Sequence, residues 1–441
     1  MKKKSTSQSA FFNLRILLAA VFCLAGVAVA LSGMGAFSNV FAQAKGAKTN
    51  QDAPGTQTPD VVRMIGPVRL DQDLRSLPYV APKKEFEERG PLTRYPHVDT
   101  NQPSASSGSG SAGLANVQNL LKNAWRPAPT MPPPLLTFDG LSDDGFNPVP
   151  DNDGDVGLNH YVQSVNRSFV IFNKNGHSLS GNSYDSFFAG LAGTPCAFNN
   201  QGDPFTLYDP IADRWLISDF ALGTGFPGDS FWECIGVSQT NDPVSGGWFL
   251  YALQVDRANP NQFGDYPKFA MWNSGGSPAQ NAYFLTVDLW TDYNTFKGVR
   301  VFALDRAAML AGTGRPNPTA IAFTIPPAGL GASQSLLAAN FRNGSAPPTG
   351  EDEFLLAIDA APGALNKVKG WRFHVDFGTP ANSTLGMGAN HSPNAAITVS
   401  SFVESGERAV PQGNTAVKLD TLGDRLMTPV VYQNRNGTES L

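Results

Sequence analysis

Three aspartates stand directly after a glycine at the opening of an apolar run: Asp155, Asp203 and Asp265. A fourth such opener, Gly423-Asp424, lies near the carboxyl end. Hydrolysis of a glycosidic bond needs two carboxyl groups at a fixed separation, one to give a proton and one to take it or to carry charge. If the runs are innermost strands of sheets set round one axis, these side chains can point into a shared funnel and supply such a pair. Aspartate at a strand start also forms turns and caps backbone, and that plainer role stays open. Asp151, Asp153 and Asp155 alternate through a glycine-containing segment, the kind of oxygen set that Ca2+ takes. No glutamate closes the spacing as it would in an EF-hand, so solvated turn aspartates compete with the ion. Glu233 is the one acid beside an aromatic strand in its unit, with no assignable partner.

Other chemistries find little support. His97, His160, His177, His374 and His391 are scattered, and none forms a metal-binding pair. His374 alternates like a strand residue, which suits a structural or surface role. There is no Gly-x-Ser-x-Gly elbow, no phosphate-binding Gly-Lys-Ser/Thr loop and no sialidase-type aspartate box. Trp215, Trp232, Trp248, Trp272, Trp290 and Trp371 could stack on sugars, but aromatics at strand positions more often pack between sheets. Trp290 is the expected exposed exception.

The elements that must position these residues are short strands. Phe205–Tyr208, Arg214–Phe220, Trp232–Val237 and Trp248–Val255 are four apolar runs joined by short connections such as Asp209–Asp213 and Asn241–Gly247. Such a meander has the size of one propeller blade. Lys268–Trp272, Ala282–Asp288, Gly298–Leu304 and Thr319–Ile325 form a second set, with a short helix expected over Ala307–Leu310. Tyr161–Val165 and Phe169–Phe172 open an earlier unit, closed by an Asn-Gly hairpin turn. Ser335–Phe341, Glu353–Asp359, Lys369–Phe377 and Ala396–Phe402 make a less regular later one. The expected fold is an all-β propeller of about four four-stranded blades over 136–441. Asp424–Tyr432 reads as the first strand of a further blade, and the propeller is expected to be incomplete at the carboxyl end. A two-sheet sandwich is the rival, although short connections favour neighbouring strands. Residues 60–100 folding back onto an open edge is an alternative.

Composition sets the compartment. Lys2, Lys3, Lys4 and Arg15 precede an apolar run, Ile16 to Leu31, and the uncharged stretch closes on Ala42-Gln43-Ala44. Those are the parts of a cleavable secretory signal over 1–44; an uncleaved anchor is the competing reading, and cleavage would leave no transmembrane segment. Cleavage removes four of 32 basic residues and none of 37 acidic ones, leaving a net charge near −9. Attraction to nucleic acid is thereby disfavoured. Residues 45–135, rich in Pro, Ser and Gly, read as a flexible linker or pro-region, with one short helix near Val117–Ala124. Outside the signal only Cys196 and Cys234 remain; an even pair in an exported chain suggests a disulfide, with two free thiols as the alternative.

Several segments taken in order carry a resemblance: 151–165 (DNDGDVGLNHYVQSV), 202–215 (GDPFTLYDPIADRW), 234–242 (CIGVSQTND), 264–269 (GDYPKF), 371–377 (WRFHVDF) and 419–434 (LDTLGDRLMTPVVYQN). Together they resemble a group of uncharacterised, secreted, propeller-like bacterial proteins. The resemblance implies an exported propeller with a Cys196–Cys234 bridge and carries no established activity. The function expected from the sequence is a secreted or cell-surface binding module for a polysaccharide or protein, with calcium as a conceivable structural ion. The alternative is a glycoside hydrolase or lyase that uses the funnel carboxylates Asp203, Asp265 and Asp155.

Overall fold

In the computed structural model the described residues are 52–53, 55–78, 133–142, 151–223, 230–256, 262–291, 295–313, 319–361, 365–402, 410–411, 416, 418–419 and 425–441. The signal segment, the Ser/Gly run at 103–113, the helix expected near Val117–Ala124 and the Gly423-Asp424 opener lie outside them.

Two strands come first, β1 (Asp60–Arg63) and β2 (Ile65–Leu70). Blade one is β3 (Asn152–Val156), β4 (His160–Val165), β5 (Ser168–Asn173) and β6 (Ser178–Ser183). Blade two is β7 (Asn200–Asp209), β8 (Arg214–Leu222), β9 (Phe231–Ser238) and β10 (Trp248–Gln254). Blade three is β11 (Gln262–Gly275), β12 (Gln280–Thr291), β13 (Thr295–Asp305) and β14 (Thr319–Ile325). Blade four is β15 (Leu337–Gly344), β16 (Glu353–Ile358) and β17 (Lys367–His374), with β18 (Thr384–Leu385) and β19 (Ala395–Thr398) both on the edge of β17. The pair β20 (Val410–Pro411) and β21 (Lys418–Leu419) stands apart, and the hairpin β22 (Val430–Arg435)–β23 (Thr438–Ser440) follows. Each blade is an antiparallel meander in chain order.

The blades fan round one axis rather than stacking as two layers. Asp153 of β3 accepts from the Thr206 amide of β7 at 2.6 Å, and Asp155 accepts from the Tyr208 amide at 2.8 Å. Both numbers climb together, so β3 and β7 run the same way side by side without a shared backbone ladder. Phe205 of β7 meets Phe269 of β11 with ring centroids 5.8 Å apart. The Met271 amide of β11 donates to Asn340 of β15 at 3.0 Å. Arg342 of β15 grips both oxygens of Asp155 and so returns from blade four to blade one. The expected all-β propeller is therefore the fold, and the sandwich is excluded: Phe205–Tyr208 and the Trp248 strand belong to one sheet.

Apolar side chains between blades form the core. One cluster fills the space among blades two, three and four, and a second lies between blades one and two. Trp215, Trp248, Trp272 and Trp371 are fully buried there. Trp290, expected outside, is also buried, against Phe296 at 5.2 Å between centroids; its strand continues inward past Asp288 rather than ending in a loop. The Cys196–Cys234 bridge is formed and ties the short turn before β7 to β9.

Two expectations need correction. The segment read as linker contains a belt. Gln57 exchanges hydrogen bonds with the Leu385 backbone of blade four at 2.8 and 3.1 Å. Strand β1 then adds antiparallel to the outer edge of blade three, β2 to that of blade two, and Leu74 donates to the Val244 carbonyl at 2.9 Å. An outer strand with solvent on one side needs few apolar residues, so apolar periodicity is weak there. Strands β22 and β23 do not begin another blade: β22 pairs parallel with β15 and extends blade four, setting Tyr432 against Trp272. Met64, between the belt strands, is completely buried. Met64→Ala is expected to lower stability by about 2–5 kcal/mol in urea unfolding; a loss under about 0.5 kcal/mol would mean that the belt is not anchored.

Candidate active site

All four inner strands begin with the same local distortion. One non-glycine residue at each entrance holds a left-handed backbone: Asp151 (φ 37°), Asp203 (φ 47°), Tyr266 (φ 58°) and Ser335 (φ 50°). Such residues cost of order 1–3 kcal/mol each and persist where surrounding structure imposes them. Aspartate and serine tolerate the region because a short polar side chain can bond locally; Tyr266 is the costliest. The kink breaks the ladder, with register shifts beside Gly202 and between Asp265 and Lys268. Freed from pairing, the side chains turn to the axial mouth.

Three carboxyl groups meet there. The Asp151 carboxyl is hydrogen-bonded to Asp203. The Tyr266 amide donates to Asp265 at 2.9 Å and to Asp203 at 3.3 Å. Dense protein packing, followed by the charge of Asp203, pushes Asp151 up to about 8. Burial and the charges of Asp203 and Asp288 push Asp265 likewise to about 8. All three nevertheless keep part of their surface open to solvent.

Cations flank the set. Lys268 stands over the Tyr266 ring with its ammonium 4.0 Å from the centroid, and Arg425 packs on the same ring at 4.7 Å. Their charges oppose the upward shifts of Asp151 and Asp265 respectively. Ser335 closes the fourth side by donating to the buried Asp288 at 2.7 Å. Behind Asp203 lies Glu233, fully buried and raised to about 8, mainly by burial. The nearby Ser218 hydroxyl favours the ionised form, yet neither Glu233 oxygen has a partner in good hydrogen-bond geometry.

Of the residues singled out from the sequence, Asp203 and Asp265 are brought together at the mouth. Asp155 is not. It lies deeper along β3, buried, held by Arg342 and by the Tyr208 and Val156 amides. Asp151 takes the place expected for Asp155, because the left-handed entrance of blade one falls four residues earlier than the Gly-Asp pattern implies. Asp153 and Asp155 lie along the face of β3 toward β7 while Asp151 stands at its left-handed entrance, and no metal-holding group of three or more such side chains occurs among the described residues. His374 bonds Asp352 at 2.9 Å within a buried network with Arg372. Tyr266, Lys268, Asp288, Ser335 and Arg425 were missed as site residues; only the Gly-Asp-Tyr-Pro-Lys run hinted at the first two.

The raised carboxyls make stability depend on pH. The folded chain holds protons on Asp151, Asp265 and Glu233 up to about 8, whereas the unfolded chain releases them near 4. Between those values the fold binds more protons, so stability falls as pH rises. His160 and His391, lowered by burial, act in the opposite sense only below about 6.5. Urea midpoints are expected to decline from pH 6.5 to 8.5, and less steeply in Asp265→Asn. Equal slopes for the two proteins would mean that Asp265 does not hold its proton to about 8.

No protein-family profile matches the chain, and no curated protein matches it. Among solved structures, a GH43 endo-arabinanase from Bacillus licheniformis aligns over 54% of this chain and 74% of its own, at 14% identity and a TM-score of 0.27. An exo-β-1,3-galactanase from Phanerochaete chrysosporium aligns over 55% of this chain at 12% identity and a TM-score of 0.28, and the match spans about half (51%) of that protein. A putative exo-β-1,3-galactanase from Bifidobacterium bifidum s17 gives 8% identity over 59% of this chain and 92% of its own, with a TM-score of 0.26. Likeness at this level carries no argument about activity. No helix among the described residues is long and apolar enough to cross a membrane.

Proposed function

We propose that the axial mouth hydrolyses a glycosidic bond in an extracellular polysaccharide. One observation carries this reading over the binding-module alternative: Asp151, Asp203 and Asp265, from three blades, converge where solvent reaches them, with two of the three shifted to about 8. A binding surface gains little from such an arrangement, since it places costly like charges together. Acid–base chemistry needs it, because a proton donor still protonated at neutral pH must stand near an ionised carboxylate. In this scheme Asp265 gives its proton to the leaving glycosidic oxygen. Asp203 takes a proton from the attacking water as the new C–O bond forms. Asp151 orients Asp203 through their hydrogen bond, and Tyr266 holds Asp203 and Asp265 through one amide. The oxidation state of the sugar is unchanged and water supplies both new groups.

Export supports the same reading: the amino-terminal pattern suits secretion, and the disulfide suits an oxidising compartment. The test is a reducing-end assay on arabinan, galactan, xylan and β-glucan with the full chain at pH 5 to 8. Turnover of at least one, abolished in both Asp203→Asn and Asp265→Asn, is the expected result. Failure to cut any of the four, with binding intact, would return the protein to the binding-module reading.

A further inference from the structure

The propeller axis has a second mouth, and its chemistry differs from the first. Because the inner strands run side by side in one direction, their starts carry the carboxyl cluster and their ends gather at the opposite face. There a cavity of about 450 Å³ is lined by Ile211 after β7, Asn273 and Ser274 at the end of β11, and Phe341, Arg342 and Asn343 of β15. That volume falls within the range of small-ligand pockets.

The lining groups point to one class of ligand. The Arg342 charge is cancelled by Asp155, which engages both of its terminal nitrogens. The Ser274 hydroxyl is committed to the Glu351 carbonyl at 2.6 Å. Asn273 and Asn343 make no side-chain hydrogen bond among the described residues, and Asn343 is exposed. A carboxamide offers a donor and an acceptor a fixed distance apart, which suits neighbouring hydroxyls that also give and accept. Ile211, 44% exposed, adds an apolar surface, and the buried Phe341 also lines the cavity. A ligand with hydroxyls on its rim, an apolar face and no net charge fits these partners; an anion gains little from a guanidinium already neutralised.

We propose that this second mouth is a binding site for a neutral saccharide unit, separate from the carboxyl cluster. It requires no catalysis at the first mouth. A polysaccharide held at both faces would dissociate more slowly than one held at either.

The experiment uses the full chain carrying Asp203→Asn, so that substrate survives. Xylohexaose, cellohexaose, arabinohexaose and hexagalacturonate are titrated by calorimetry, with and without the added pair Asn273→Ala and Asn343→Ala. At least one neutral hexasaccharide is expected to bind, with affinity at least about fivefold weaker in the added pair. Hexagalacturonate is expected not to bind. Both substituted side chains line an open cavity, so an unchanged melting temperature checks the fold; if it drops, Asn343→Ala alone, at the exposed position, is read instead. Binding that is indifferent to these substitutions, preference for hexagalacturonate, or no binding at all would overturn the proposal. None of these outcomes depends on whether the native chain hydrolyses a glycan.

Discussion

Asp203→Asn is expected to reduce kcat on a cleaved polysaccharide by about 10²–10⁴-fold, the usual contribution of a positioned acid or base. The substitution preserves size, and the remaining amide oxygen can still accept from the Tyr266 amide, 3.3 Å away in the native protein. Asp203 is partly exposed at its left-handed position, which asparagine tolerates as readily as aspartate. Melting is therefore expected to change little. A second consequence follows from charge. Asp203 helps hold Asp151 and Asp265 near 8, so its neutralisation should let both carboxyls fall toward the ordinary range. The alkaline limb of any residual activity should then move to lower pH. Loss of rate without that movement would mean that Asp203 acts only by position. Retention of more than about a tenth of kcat would remove it from the chemistry.

Asp209→Ala should destabilise the chain by about 3–5 kcal/mol, the cost of stripping one partner from a buried ion pair. Asp209 is fully buried at the end of β7. Its carboxylate accepts from Arg306 at 2.6 and 3.0 Å and from the Tyr283 hydroxyl at 2.7 Å. It also accepts from the amides of Ile211 at 3.1 Å and Ala212 at 3.0 Å. The node thus fixes the turn after β7 and joins blade two to blade three. Without it a guanidinium left with the neutral partners Asn281 and Tyr283 stays inside the protein. Against a typical total of about 5–15 kcal/mol, such a loss approaches unfolding. Urea unfolding measures it. Replacing both partners, Asp209→Leu with Arg306→Met, should recover much of the loss, because no charge is then left buried. A single-variant effect below about 1 kcal/mol would contradict the role given to this node.

The legible parts of the chain were those fixed by neighbours in sequence. Thr319–Ile325 emerges with the bounds its β-branched and apolar run implied, and the helix expected at Ala307–Leu310 spans Arg306–Ala311. Strands β3 (NDGDV) and β6 (SLSGNS) were not legible, since neither carries the apolar alternation that marks a strand. Their place comes from pairing with β4 and β5. Residues 60–100 folding back onto an edge stood only as an alternative for a similar reason: Asp60 meets Ala322, a partner 262 positions on.

Residue type and short-range spacing were enough for the β class, the blade-sized meanders, the disulfide pair and the aspartates at strand openings. Which aspartates meet depends on the packing of segments far apart in the chain. The Gly-Asp pattern marked Asp155, but backbone φ at the strand entrances and the angle between blades put Asp151 beside Asp203 instead. The raised Asp151 and Asp265 carboxyls at the mouth arise from three chain segments packed together. Mutual charge and exclusion of water act through space, and no local run of residues encodes that distance.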